Sequence, residues 1–167
     1  MHKQILFILL ISSVFNFHPT FAQNSGELPV EILKDFEGNS APENLLNNNG
    51  KPVILSFWAT WCAPCLQELK SIQEIYSDWQ EESGVKLIAI SIDRSRQLPR
   101  VKQLVEKRDW PFEVYLDSEG EFRTALNVVN IPHTFVLDGE GNIIYQSTSY
   151  SPGDELKLYE KVKAASD

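Results

Sequence analysis

Cysteine is scarce in this chain: two among 167 residues, at 62 and 65. Small exported domains that depend on disulfides carry more of them, widely spaced. A stapled scaffold is therefore excluded, and so is an iron–sulfur cluster held by four thiolates of one chain. After residue 22 His133 is the only histidine. Cys62, Cys65 and His133 thus make three soft ligands, one short of a closed zinc set. Basic charge is also in deficit, with 15 Lys+Arg against 23 Asp+Glu and a net charge of −8. That balance argues against nucleic acid or an anionic membrane as partner. No internal repeat, low-complexity tract or glycine-rich phosphate loop is present, so NADPH is not an expected ligand. No apolar run is long enough for a bilayer: the block at residues 5–17 has thirteen residues, against about 20 for a spanning helix.

That block follows a short N-region with Lys3 and precedes Thr20-Phe21-Ala22, the pattern of a signal peptide cleaved after Ala22. Residues 1–22 are read as that leader, 23–28 as a polar lead-in, and 29–167 as one domain. Loss of the leader removes Lys3, leaves 145 residues and predicts no stable membrane insertion afterwards. Two cysteines three positions apart then need a chemical explanation. Closing so small a loop stabilises a fold by only about 2 kcal/mol.

Along the domain, residues 30–34 read as a short strand. Residues 53–58 (VILSFW) are a continuous apolar run, expected of a strand buried on both faces. Leu66, Leu69, Ile72, Ile75, Tyr76 and Trp79 mark one amphipathic helix ending near Gly84. Residues 85–92 read as a buried strand, followed by a helix through Leu98, Val101, Leu104 and Val105. A strand at 112–116, a short helix at 119–126, a hairpin around DGEG at 138–141 and a closing helix complete the pattern. The class is α/β, a central mixed sheet flanked by helices.

WCAPC at 61–65 follows the first central strand directly, so Cys62 falls at the start of a helix. Unpaired N–H groups and the positive helix end favour a thiolate there, which makes Cys62 the expected nucleophile and Cys65 the resolving thiol. Pro64 stiffens the first turn.

These residues carry a resemblance. Over roughly residues 29–165 the chain resembles the TlpA/ResA-like thiol–disulfide oxidoreductases of the thioredoxin-like superfamily. The matching stretches are GKPVILSFWATWCAPC at 50–65, Glu68, PF at 111–112, LD at 116–117, Ile131-Pro132-x-Thr134-Phe135, and Asp138 with Gly141. The resemblance implies a thioredoxin-like fold with an N-terminal strand extension and a helical insertion between the central strands, at about 97–126. It makes Pro132 a cis-proline facing the cysteines, with Ile131 presenting backbone groups to substrate beside Trp61, Ala63 and Pro64. Trp58 is expected in the core and Trp61 over the nucleophile.

Two departures follow from the same comparison. Lys70 stands where many relatives have a helix-kinking proline, so a straighter helix is expected. The proton-handling acid is missing from both places where the resemblance puts one: Ser56 occupies the first, on the strand leading into the cysteines, and Arg94 the second, past the next strand. Asp93, beside Arg94, is the substitute candidate, with capping of the following loop as its alternative role. His133 is a candidate neighbour of the sulfurs, with a half-exposed strand position as its alternative. Glu68 is expected to be a solvated helix residue.

The function implied is an exported, periplasmic reductase of disulfides in extracytoplasmic proteins, apocytochrome c among them. A membrane thiol donor would re-reduce it, and the Cys62–Cys65 disulfide would serve in place of any cofactor. Three alternatives stand beside it: a disulfide-forming oxidase on the same fold, a copper metallochaperone using Cys62, Cys65 and His133, and a non-catalytic binding module. The intact cysteine pair disfavours the last.

Overall fold

Strand β1 (Val53–Trp58) is apolar at every position but Ser56, and all six side chains are buried. That places it at the centre of the sheet, with a helix layer on one face and the N-terminal segment on the other. A computed structural model describes residues 28–166; the expected leader and most of the polar lead-in lie outside the described residues. β1 pairs in parallel with β2 (Lys86–Ser91) and antiparallel with β4 (His133–Leu137). β3 (Glu113–Leu116) lies parallel outside β2, and β5 (Ile143–Ser147) antiparallel outside β4, in the order β3-β2-β1-β4-β5.

Alternation along β1 divides the core in two. Ile54 and Trp58 face Leu69, Ile72, Tyr76 and Trp79 of α1 (Ala63–Gln73) and α2 (Tyr76–Ser83). The same layer takes Val101 of α3 (Leu98–Arg108) and Leu158 and Val162 of α5 (Asp154–Ala164). Val53, Leu55 and Phe57 face the other way, onto Val30, Leu33, Leu45 and Phe122, the last from the short α4 (Glu121–Ala125).

Two elements differ from the sequence reading. The expected strand at 30–34 is a 3-10 turn, Val30–Ile32, after which Lys34 alone bridges to Ser40 and Leu116. Lys34 and Leu116 exchange both backbone bonds, at 3.0 and 2.8 Å, so one residue covers that part of the β3 edge. The single amphipathic helix through Trp79 is two helices. It runs unbroken past Lys70, then tightens where Ile75 N–H donates to Ile72 at 3.0 Å, and resumes at Tyr76. The apolar stripe continues across the break, and the Tyr76 hydroxyl accepts from Leu87 N–H at 2.9 Å. Periodicity alone does not reveal an interruption that preserves the buried face.

Candidate active site

The strand-to-helix junction after β1 is anchored before it reaches the cysteines. Ile92 N–H donates to Trp58 O at 2.9 Å, tying the end of β1 to the end of β2. Asp93, 1% exposed, accepts from Thr60 N–H at 2.7 Å, from the Thr60 hydroxyl at 2.8 Å and from the Ser91 hydroxyl at 3.0 Å. Its carboxylate therefore braces the loop in front of Cys62. Those partners engage both oxygens, and it makes no hydrogen bond with Cys65. Asp93 thus holds the loop that aims the nucleophile. The loop it holds precedes the cysteines, whereas capping was expected on the segment that follows.

Cys62 is the N-cap of α1, and Cys65 N–H donates to its sulfur at 3.3 Å. Pro64 occupies the first turn, where its missing N–H leaves no hydrogen bond unmade. The two cysteines are joined in a disulfide. Cys62 is 6% exposed and Cys65 fully buried, so an incoming sulfur meets Cys62 first. On reduction the same N–H and the helix end stabilise negative charge on Cys62.

Beneath the pair lies a group that the sequence reading misplaced. Glu68 is buried, not solvated: 3% of it is exposed, on the face of α1 that carries Cys65, Leu69 and Ile72. Its carboxyl accepts from the Thr134 hydroxyl at 2.9 Å and from the Ser56 hydroxyl at 3.5 Å. Ser56 and Thr134 are register partners across β1 and β4, so two strands present hydroxyls to one acid. Desolvation pushes the Glu68 carboxyl up to about 7, reinforced by the negative charges of Asp154 and Glu155 and opposed by the two hydroxyls. At three residues' separation on a helix, Cys65 and Glu68 have Cβ atoms about 5–6 Å apart. A carboxyl that exchanges its proton near neutral pH thus sits one turn below the resolving sulfur.

The signal for Glu68 was present in the sequence: positions 65, 68, 69 and 72 form one helical stripe. Single hydroxyls stand at 56 and 134 in two buried strands, and only the register shows that they meet at Glu68.

Pro132 is buried and joined to Ile131 by a cis peptide bond. It precedes β4, whose first residue pairs with Phe57, so Pro132 lies at the sheet end from which the cysteine loop departs. Ile131 packs against the core that contains both cysteines. Its N–H and C=O make no hydrogen bond among the described residues. Trp61 is 63% exposed beside Cys62, and Ala63 and Pro64 are exposed as well. Trp58 is fully buried, edge-on to Trp110 at 4.8 Å between ring centroids.

His133 is not a neighbour of the sulfurs. Alternation on β4 turns Thr134 toward Glu68 and His133 to the opposite face, where its ring stacks on Phe135 at 4.4 Å. Its Nε2 meets Gln146 Oε1 at 3.3 Å, and burial lowers its pKa. At 5% exposure it is also more buried than the half-exposed alternative. The sheet separates it from the cysteines, so Cys62, Cys65 and His133 do not converge. Among the described residues no group of three or more His, Cys, Asp or Glu side chains is placed to hold a metal ion.

The chain is similar to known proteins over most of its length. The AhpC/TSA family model matches residues 27–146. The thiol–disulfide oxidoreductase ResA of Bacillus thuringiensis subsp. konkukian is 33% identical over 135 residues, 81% of this chain and 75% of that protein. The chain belongs to the AhpC/TSA family and is a ResA-like thiol–disulfide oxidoreductase. The sporulation thiol–disulfide oxidoreductase A of Bacillus subtilis is 29% identical, over 91% of this chain and 92% of its own. Among solved structures, a thioredoxin-like protein of Porphyromonas gingivalis superposes with a TM-score of 0.72 at 49% identity, covering 84% of this chain and 92% of that one. StoA of Bacillus subtilis does so with 0.60 at 28%, covering 77% and 93%. The five-stranded mixed sheet with flanking helices is the thioredoxin-like fold that these relatives share.

Proposed function

We propose that this oxidoreductase is an exported reductase of disulfides in extracytoplasmic proteins, with Cys62 as nucleophile, Cys65 as resolving thiol and Glu68 as the proton-handling acid. The observation that carries the reading is the buried Glu68 carboxyl beneath Cys65. A negative charge there disfavours thiolate on Cys65. It thereby weakens the reduced form relative to the uncharged disulfide, which makes the pair a better electron donor. Ala63-Pro64 between the cysteines supports the same direction, since it supplies no histidine to stabilise a thiolate.

The reduced enzyme starts as a Cys62 thiolate and a Cys65 thiol. Cys62 attacks one sulfur of the client disulfide, the client S–S bond breaks, and the departing client thiolate takes a proton from water. A mixed disulfide now joins Cys62 to the client. Cys65 gives its proton to the Glu68 carboxylate and attacks Cys62. The mixed disulfide breaks, the second client sulfur leaves as a thiolate that takes a proton from water, and the Cys62–Cys65 disulfide forms. Two electrons have passed to the client, and no cofactor beyond the cysteine pair takes part. A membrane thiol donor reverses the exchange on the enzyme. Ile131, with its free backbone groups, and Trp61 form the walls along which a client segment lies. The leader pattern at residues 1–22 supports periplasmic export, and the family resemblance supports apocytochrome c, whose haem-binding thiols must be reduced, as a client.

Direction is tested by single-turnover mixing. Reduced protein is expected to convert about one equivalent of a peptide disulfide to dithiol, while oxidised protein leaves the peptide dithiol largely intact. Rapid oxidation of the dithiol, with the peptide disulfide untouched, would identify an oxidase instead.

A further inference from the structure

Charge on this molecule is distributed against its average. The chain carries a net charge of −8 and has five arginines. Three of them, Arg94, Arg96 and Arg123, line one groove of about 470 Å³ together with Trp61, Val129 and Ile131. No carboxylate lines it. Trp61 immediately precedes the nucleophile and Ile131 immediately precedes Pro132, so the groove opens on the active site. Arg94 and Arg96 are exposed on the segment following β2, and Arg123 comes from α4. The guanidinium groups of Arg94 and Arg123 have no hydrogen-bond or ion-pair partner among the described residues. Glu119 lies in the adjoining depression beside Arg94 and Arg96, where it accepts from the Ser95 hydroxyl at 3.3 Å. Val129, 84% exposed, and Trp61, 63% exposed, add apolar surface without a partner.

Loop structure does not require this clustering. Asp93 and Ser91 hold the post-β2 segment through buried bonds in which Arg94 and Arg96 take no part. Distance decides which charges a bound client feels. At about 0.15 M ionic strength the screening length is about 8 Å, so the groove's three arginines, opposed nearby by Glu119, act on a bound segment and the more distant acidic surface is largely screened.

We infer that this groove selects clients by charge: it takes an extended acidic segment next to the client's disulfide, with an apolar residue against Trp61 and Val129. The inference rests on the disulfide-exchange reading above and adds the substrate class. Arginine suits the task because its planar donor fork pairs with carboxylates in two parallel hydrogen bonds. Complementary charge of this kind acts chiefly on encounter rate and partner choice.

Two disulfide peptides that differ only in their flanks, Asp/Glu in one and Lys/Arg in the other, provide the test. The second-order rate constant for reduction is measured for each with the reduced protein, at 0.15 M and at 1 M NaCl. The acidic peptide is expected to react about eightfold faster at 0.15 M, roughly a factor of two for each arginine, with most of the preference lost at 1 M. In the triple variant Arg94→Gln/Arg96→Gln/Arg123→Gln, the ratio of the two rate constants should fall close to one. Equal rates in the unaltered protein, preference for the basic peptide, or a preference that survives in the triple variant would each overturn the inference. Failure to reduce either peptide would instead overturn the exchange reading on which it rests.

Discussion

Glu68→Gln should slow the resolving step by about 100-fold, the lower range for a positioned acid–base group. It should also remove an inflection near pH 7 from the rate profile of disulfide reduction. The amide keeps the shape of the side chain and its hydrogen bonds with Thr134 and Ser56, but it cannot take the proton of Cys65. The same substitution has a stability signature of defined sign. The carboxyl titrates at about 7 in the folded protein, against a reference of 4.5. The folded state therefore holds a proton that the unfolded chain releases between these values. The favourable contribution is complete below pH about 4.5 and is lost as pH rises toward about 7, amounting to on the order of 3 kcal/mol. Urea unfolding at pH 5 and pH 8 should show this decline in the native protein and a flatter response in Glu68→Gln. A variant with an unaltered rate profile would remove Glu68 from the reaction. An unaltered stability profile would show that the carboxyl is not buried as described.

The second large effect separates the two sulfurs. Cys62→Ser should reduce turnover to the uncatalysed background, because the cysteine at the helix N-cap, the more accessible of the pair, is lost. Cys65→Ser should still attack and then stall, accumulating a mixed disulfide on Cys62 that mass spectrometry detects as one client adduct per chain. No intramolecular thiol remains to release it. An adduct of comparable yield on Cys65 in the Cys62→Ser protein would contradict the assignment. Full burial of Cys65 makes that outcome unexpected.

The parts of this site that were legible in the sequence are those written in local pattern. The apolar run of β1 marks a central strand, the junction that follows puts Cys62 at a helix start, and the Ile131-Pro132-x-Thr134-Phe135 match points to Pro132. Glu68 was harder because acidic residues are rarely buried. Its place in the stripe of Cys65, Leu69 and Ile72 becomes meaningful only when strand register brings Ser56 and Thr134 to the same point. His133 illustrates the converse. Proximity to Pro132 in sequence suggested proximity to the sulfurs, but alternation along β4 sends adjacent side chains to opposite faces of the sheet. Asp93 was recognised as a residue of consequence, yet its partner Thr60 is 33 positions away, and nothing local indicates that pairing. The arginine groove is likewise assembled from the post-β2 segment and α4, which meet only in the folded chain.

The equilibrium potential of the Cys62–Cys65 pair, measured against a glutathione or dithiothreitol buffer, tests the central claim most directly. A thiolate-favouring N-cap pulls the potential up, and a buried carboxyl under the resolving sulfur pulls it down. If the pair serves as an electron donor, the value should lie well below about −200 mV and fall further as pH rises past about 7. A value near about −120 mV would contradict that account and describe a disulfide-forming oxidase.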